Sequence, residues 1–355
     1  MSGRSAWVTW WPRSPGERRS GGGRASCPPS GGQVLYMVIS PALGVRGVRG
    51  VSGVPAVAAL VGPTAVGKSE VGAALAERLH AEIVSVDSMQ VYRGLDAGTA
   101  KPPPGLRTAV PHHLIDFVEP SHELSVAEFQ SLARAAIADI WKRGKLPLLV
   151  GGSGLYFRAA VDDLSFPPRS DEVRRELETE AAAVGNSVMH QRLAALDPAA
   201  ADRIESSNLR RVVRALEVIE ITGRPFSGGY SWDGYSSVYR LAVAGLELDR
   251  ARLRDLISGR VERMLARGLA AEARELASNN LSLTARQALG YRQVLEEPDA
   301  APDELRDRIV AATARFARRQ MTWFKADPRV VWFDASCEDL VETLTGHFRS
   351  RLRLP

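Results

Sequence analysis

Apolar and polar positions divide the chain into three regimes. From Val57 to Val61 five apolar residues follow one another without a polar break, as in a strand covered on both faces. Glu70–Leu79 then sets Val71, Ala74, Leu75 and Leu79 at helical spacing, and Ala81–Asp87 reads as a second strand ending in an acid. A helix is predicted over Val126–Lys142, closed by Gly144. A buried-type strand, Leu146–Val150, follows and runs into Gly151-Gly-Ser-Gly154. Strand and helix alternating in this way predict an α/β fold with a parallel sheet and helices on both faces.

The rhythm changes near Leu164. Helical pattern without strands covers Glu172–Val184, Met189–Leu196 and Asn208–Thr222, between Phe166-Pro-Pro168 on one side and Gly223-Arg-Pro225 with Gly228-Gly229 on the other. This predicts an all-helical insertion over 164–232, set into a core made of 55–163 and 233–355. The core resumes with the strand Arg240–Leu246 and the helices Arg252–Arg267 (with Gly268 as cap), Ala270–Leu276 and Glu304–Phe324. A short strand, Val330–Phe333, and a terminal helix complete it. Residues 1–54 follow neither pattern. Gly, Ser, Pro and Arg dominate there, too little apolar surface to offset chain entropy, so a disordered extension is expected, with Met37 as an alternative initiator.

Composition adds limits. With 355 residues, 45% hydrophobic and 25% charged, the chain reads as a globular protein with room for two domains. A net charge of +5 leans toward a polyanionic partner without requiring one. Two cysteines, Cys27 and Cys337, exclude a four-cysteine zinc site, and a reducing cytoplasm is the default. No apolar run approaches the ~18 residues of a membrane span, and the N-terminus lacks the layout of a signal peptide.

The chemistry begins at Gly62-Pro-Thr-Ala-Val-Gly-Lys-Ser69. Strand, glycine-bounded loop and helix stand in the order that a phosphate loop requires. Gly62 and Gly67 let the backbone turn so that amides and a helix N-terminus converge on an anion. Lys68 adds a point charge, and the Ser69 hydroxyl suits Mg²⁺. Asp87 stands at a neighbouring strand end, where a carboxylate can take a proton, cap a turn or sit near a metal. Ser153 follows a third strand. That third strand ends in Gly-Gly-Ser rather than an acid, which weakens the reading of an NTP-hydrolysing motor. His112-His113 has no ligand partners at metal spacing and is read as structural or RNA-facing. Two arginine-rich helical segments, Arg210, Arg211 and Arg214, and then Arg308, Arg315, Arg318 and Arg319, suggest phosphodiester contact. In the later one Ile309, Ala312, Phe316 and Trp323 form the apolar stripe.

The motifs Gly62–Ser69, Ser85-Val-Asp-Ser-Met-Gln-Val-Tyr92, Gly98-Thr-Ala-Lys-Pro102, Pro111–Asp116, Gly151-Gly-Ser-Gly-Leu-Tyr156, Arg214-Ala-Leu-Glu217, Gly290-Tyr-Arg292 and Arg318-Arg-Gln-Met-Thr-Trp-Phe324 occur in that order. With them the sequence resembles the bacterial tRNA dimethylallyltransferases over roughly residues 56 to 335. The resemblance implies a P-loop NTPase-like parallel sheet flanked by helices. It implies transfer of dimethylallyl from dimethylallyl diphosphate to N6 of adenosine 37 in tRNAs that read codons beginning with U, with A36-A37-A38 in the anticodon stem-loop. Mg²⁺ is the implied cofactor, and a monomer is the default. Gly62, Pro63, Thr64, Ala65, Val66, Gly67, Lys68 and Ser69 would hold the diphosphate. Asp87 would be the general base, with Lys68, Ser153 and Arg260 beside it. Asp87, Ser88, Met89, Gln90, Ser153, Arg174, Arg210, Arg211, Arg214, Gln287, Gly290, Tyr291, Arg292, Arg315, Arg318 and Arg319 would grip tRNA. The family usually has threonine where this chain has Ser153. A small-molecule kinase, a prenyltransferase of free adenine nucleotides and a non-catalytic RNA-binding protein are the competing readings. The kinase needs no arginine-rich helices outside its crevice, the second needs no helical clamp, and the third leaves Lys68, Asp87 and Ser153 converging without purpose.

Overall fold

A computed structural model describes residues 53–228, 234–278 and 280–354. The expectation of a disordered extension at 1–54 falls almost entirely outside them.

The first half of the core runs β1 (Ala56–Val61), α1 (Lys68–Leu79), β2 (Ala81–Ser85), α2 (Pro104–Ala109), β3 (His112–His113), α3 (Val126–Lys142), β4 (Leu146–Gly151) and α4 (Gly154–Val161). The helices α5 (Asp171–Val184), α6 (Asn186–Leu196), α7 (Pro198–Ala201) and α8 (Leu209–Thr222) follow. The chain then returns through β5 (Arg240–Glu247), α9 (Arg250–Ala266), α10 (Leu269–Ala277), α11 (Leu283–Arg286), α12 (Tyr291–Glu296), α13 (Pro302–Lys325), β6 (Val330–Asp334) and α14 (Leu340–Leu352).

All six strands form one parallel sheet in the order β3-β2-β4-β1-β5-β6. β1 is buried at every position, as its unbroken apolar run requires of a strand with neighbours on both edges and helices on both faces. The chain leaves β1 toward β2 and β3 on one side and later crosses to β5 and β6 on the other. The connections therefore diverge at β1, the place where such sheets open a crevice beyond their strand ends. The helices pack by stripe. In α3, Phe129, Ala133, Ile137 and Ile140 are buried at helical spacing, and Ser125 and Glu128 close a reciprocal capping box at its start. On α1, Gly72 lets the helix lie against the sheet, since a Cβ there would sit 3.0 Å from Val150 Cγ2.

Leu164–Gly234 forms a compact unit of its own by backbone contacts. Its core gathers Leu177, Ala181, Met189, Leu193, Ile204, Val212 and Leu216. Asn208 caps α8, and Gly223 ends it in the left-handed conformation. Asp197 links two parts of the unit, accepting from Ala200 N and from Ser227 N and Oγ.

Sequence pattern and structure differ in small ways. β2 stops at Ser85, two residues before the acid expected to end it. The buried stripe of α13 consists of Leu305, Ile309, Ala312, Thr313, Ala317, Gln320 and Phe324; Phe316 and Trp323, expected within it, are only half-buried.

Candidate active site

The phosphate loop joins β1 to α1, and its shape depends on two glycines. Gly62 (φ 146°) lies so close to β5 that a Cβ would meet Leu246 O at 2.7 Å. Gly67 (φ 94°) takes the left-handed conformation that starts α1. The first amides of that helix have no acceptor within it, so they present donors to an anion. Lys68 curls over the loop and donates from Nζ to Pro63 O (2.6 Å).

A second cation stands nearby. Burial pushes the Lys68 ammonium down to about 7. The Arg260 guanidinium on α9 adds to that shift, while Asp87 and Glu70 oppose it. Burial likewise lowers Arg260 from its ordinary value, again opposed by Asp87 and Glu70. These carboxylates act on both cations as charges at a distance, without a hydrogen bond. Two half-buried cations this close to each other are a seat for a multiply charged anion.

Asp87 lies in the turn after β2. Its Oδ1 accepts from Met89 N (2.9 Å) and Gln90 N (3.3 Å), which fixes the carboxylate at the strand edge. Gln90 braces the same turn, accepting from Ser85 Oγ (3.1 Å) and donating to Thr99 O (3.3 Å). Ser153 is the N-cap of α4, yet its hydroxyl bonds no helix amide. Its backbone N donates to Val86 O (3.3 Å), so the residue before Asp87 touches Ser153. Ser69, Ser85, Gln90 and His112 share the polar lining of a small cavity beneath the loop. Among the described residues no cluster of three His, Cys, Asp or Glu is placed to hold a metal. His113 pairs with Glu82 (2.7 Å) and His112 Nδ1 with Val110 O (2.6 Å), roles internal to the fold.

Several of the expected site residues have partners within the protein. The Thr64 amide donates to Gln320 Oε1 (2.8 Å). Tyr291 is 1% exposed. Its hydroxyl accepts from Gly98 N (3.0 Å) and donates to Glu272, leaving nothing to offer an RNA. Gly290 is buried and packs on Leu269. Both order the loop after α11. Gln287 and Arg292 are half-buried nearby, and Ser88 and Met89 sit half-buried in the Asp87 turn.

Arg315, Arg318 and Arg319 are exposed on α13. Burial of its inner part lowers the Arg319 guanidinium, and Arg315, Arg292 and Arg318 lower it further, the mark of like charges crowded on one surface. Within the 164–234 unit, Arg210 is exposed and Arg211 half-buried. Arg174 and Arg214 have internal work: Arg214 donates to Pro168 O (3.0 Å) and Pro167 O (2.8 Å) and pairs with the fully buried Glu217 at 2.9 Å. Arg174 lies 3.8 Å from the same carboxylate.

The sequence reading missed Gln320, which links the phosphate loop to the loop before α4, and Trp323, whose ring lies where a Gly154 Cβ would project. One signal was available: a single glutamine standing in register with the apolar stripe of α13.

Comparison with known proteins bears on the family of the whole chain. The family model described as IPP transferase matches residues 90–327, and that described as isopentenyl transferase matches 55–106. A tRNA dimethylallyltransferase of Streptomyces avermitilis is 51% identical over 288 residues, 80% of this chain and 92% of that protein. One of Acidothermus cellulolyticus is 50% identical over 301 residues, 82% and 94% of the two chains. The crystal structure of a tRNA isopentenylpyrophosphate transferase from Bacillus halodurans superimposes with a TM-score of 0.62 at 38% identity, covering 85% of this chain and 97% of that one. A eukaryotic dimethylallyltransferase caught acting on tRNA superimposes with a TM-score of 0.71 at 25% identity, covering 82% and 77%. With a family model spanning more than half its length and relatives at half identity along nearly their whole chains, this protein belongs to the IPP transferase family.

Proposed function

We propose that the chain is a tRNA dimethylallyltransferase that moves the dimethylallyl group of dimethylallyl diphosphate to N6 of adenosine 37, beside the anticodon. The observation that carries this reading is the glycine-shaped phosphate loop with Lys68 folded over it, beside the oriented carboxylate of Asp87 at the end of a parallel strand. The cations and the α1 amides hold the diphosphate and take up charge as it leaves. The amine lone pair forms the N6–C1 bond as the C1–O bond breaks, and Asp87 takes the N6 proton. Ser153, next to Val86, orients the adenine. The base must leave its stack to reach this edge.

The Ser69 hydroxyl at the start of α1 is the oxygen that would hold Mg²⁺, an ion that keeps several waters and binds with phosphate oxygens rather than in an all-protein cage. When bound it supplies further charge stabilisation to the diphosphate. Exposed Arg315, Arg318 and Arg319, with Arg292 beside them, suit phosphates of the anticodon stem-loop. Arg210 and Arg211 do the same from the helical unit, which would serve as the clamp, braced internally by Arg174 and Arg214. Substrates would be tRNAs with A36-A37-A38 that read codons beginning with U, met in the cytoplasm by a monomeric enzyme. No helix among the described residues is long and apolar enough to cross a membrane.

The test is label transfer. Protein, Mg²⁺ and labelled dimethylallyl diphosphate are offered unmodified tRNA with A36-A37-A38, or AMP, with Asp87→Asn in parallel. Label in tRNA, reduced about 10²-fold or more by the substitution, is expected for a lost general base. Label in AMP alone would make it a free-nucleotide enzyme, and label in neither would refute prenyl transfer.

A further inference from the structure

We propose that Gln320 is a positioning residue whose side-chain amide sets the spacing between the phosphate loop and the Gly151–Gly154 loop. The structural part stands on geometry alone; its catalytic consequence rests on the function proposed above.

Gln320 lies on the buried stripe of α13 and is 6% exposed. Burying a primary amide among apolar side chains is costly unless both its ends are bonded. Here they are, to two different loops. Oε1 accepts from Thr64 N (2.8 Å), inside the phosphate loop, and Nε2 donates to Gly152 O (2.8 Å), one residue before Ser153. The partners are 256 and 168 residues away in sequence, so the bonds are tertiary. A Gly152 Cβ would overlap Nε2 and stand 3.1 Å from Gly62 O, so the two loops approach one another where the amide spans them. One turn on, the Trp323 ring fills the space beside Gly154.

The chemistry demanded is narrow. One terminus must accept from an N–H while the other donates to a carbonyl, at a fixed reach. Glutamate keeps the first bond but sets a carboxylate oxygen against the Gly152 carbonyl. Asparagine is one methylene short. Methionine fills the space and makes neither bond. The phosphate loop and the Gly151–Gly154 loop are thus held in register by a residue whose amide is spent on both. Losing the strut should misalign bound substrates more than it weakens binding of either one.

The experiment compares wild type with Gln320→Met, Gln320→Glu, Gln320→Ala, Gly152→Ala and the Gly152→Ala/Gln320→Ala double variant. Amide exchange at Thr64 is read by hydrogen–deuterium mass spectrometry and transfer by steady-state kinetics. Gln320→Met should expose the Thr64 amide and lower kcat about 10- to 100-fold with KM for tRNA within about twofold, the signature of a misplacement of an ångström or less. Gln320→Glu should keep Thr64 protected and still lose kcat. Gly152→Ala should be impaired alone yet add much less to Gln320→Ala than it costs by itself, because that side chain is the nearest group its methyl strikes and only the milder 3.1 Å approach to Gly62 O remains. Unchanged Thr64 exchange in Gln320→Met, a loss confined to KM for tRNA, or additive effects of Gly152→Ala and Gln320→Ala would each overturn the proposal. If Gln320→Met does not fold, the Gly152 pair decides it alone. Wild-type protein that moves no label to tRNA would sink the functional reading and leave the exchange and folding comparisons standing.

Discussion

Replacing Gly151 with alanine tests whether the separation of β2 and β4 at their carboxyl ends governs the chemistry. The substituent would not strain the backbone through φ, since Gly151 is not in the left-handed region. It would strike the residue just past the end of β2: an ideal Cβ lies 2.5 Å from Val86 O and 2.7 Å from Val86 C. Ordinary carbon–oxygen contacts begin near ~3.3 Å, so the strand ends must part by about 0.8 Å. Val86 precedes Asp87 and receives the Ser153 amide, so the shift falls on the gap between those two residues. A displacement approaching an ångström can cost about 10²-fold in rate, and overpacking of a tight core about 1–3 kcal/mol in stability. The expected result is a kcat lowered 10- to 100-fold, measured by single-turnover label transfer well below the melting temperature. Gly346→Ala is the control: it lies in α14 with nothing within 4 Å of its Cβ, and it should stabilise by about 0.5–1 kcal/mol with activity intact. A folded Gly151→Ala enzyme with kcat within twofold of wild type would refute the reasoning.

Other outcomes follow from single groups. Burial between Phe333 and Phe348 lowers the His347 imidazole to about 4, so it folds neutral. Its stabilising contribution is present above the unfolded value near 6.5 and is lost as pH falls from there toward 4, by at most about 3 kcal/mol. Melting curves from pH 7 to 4.5 should fall more steeply for wild type than for His347→Leu, and parallel curves would discard the assignment. Glu217→Ala removes the acceptor of Ser170 N and the counter-charge of Arg214, which keeps its two proline carbonyls, and leaves a buried donor unpaired, a change of the kind that costs about 1–3 kcal/mol. Limited proteolysis should then cut within 164–228 first, while diphosphate binding persists; unaltered cleavage would show that Glu217 does not hold that unit together. Arg318→Ala and Arg319→Ala together should reduce the salt dependence of tRNA binding by about two in log–log slope, leaving affinity for dimethylallyl diphosphate unchanged. An unaltered slope would remove α13 from the RNA surface.

Much of the molecule was legible before any coordinates. The apolar run at β1, the Gly62–Ser69 loop and the strand–helix alternation specify a phosphate loop at the edge of a parallel sheet, because each is a local rule of periodicity, backbone freedom or donor geometry. The long helices were also local, their stripes and caps readable within each segment. Strand order was not, since pairing β1 with β4 and β5 depends on how distant segments pack.

Tertiary structure alone decided which polar side chains face inward. Tyr291 and Arg214 look like ligand-facing groups in sequence, yet one is buried against Gly98 and Glu272 and the other is held by Glu217 and two proline carbonyls. Gln320 looks like one more polar residue in an arginine-rich helix, and it is the group that spans two loops. A side chain's hydrogen-bonding capacity is written in its identity. Whether a substrate or the protein itself uses that capacity depends on which distant backbone groups folding leaves within about 3 Å of it.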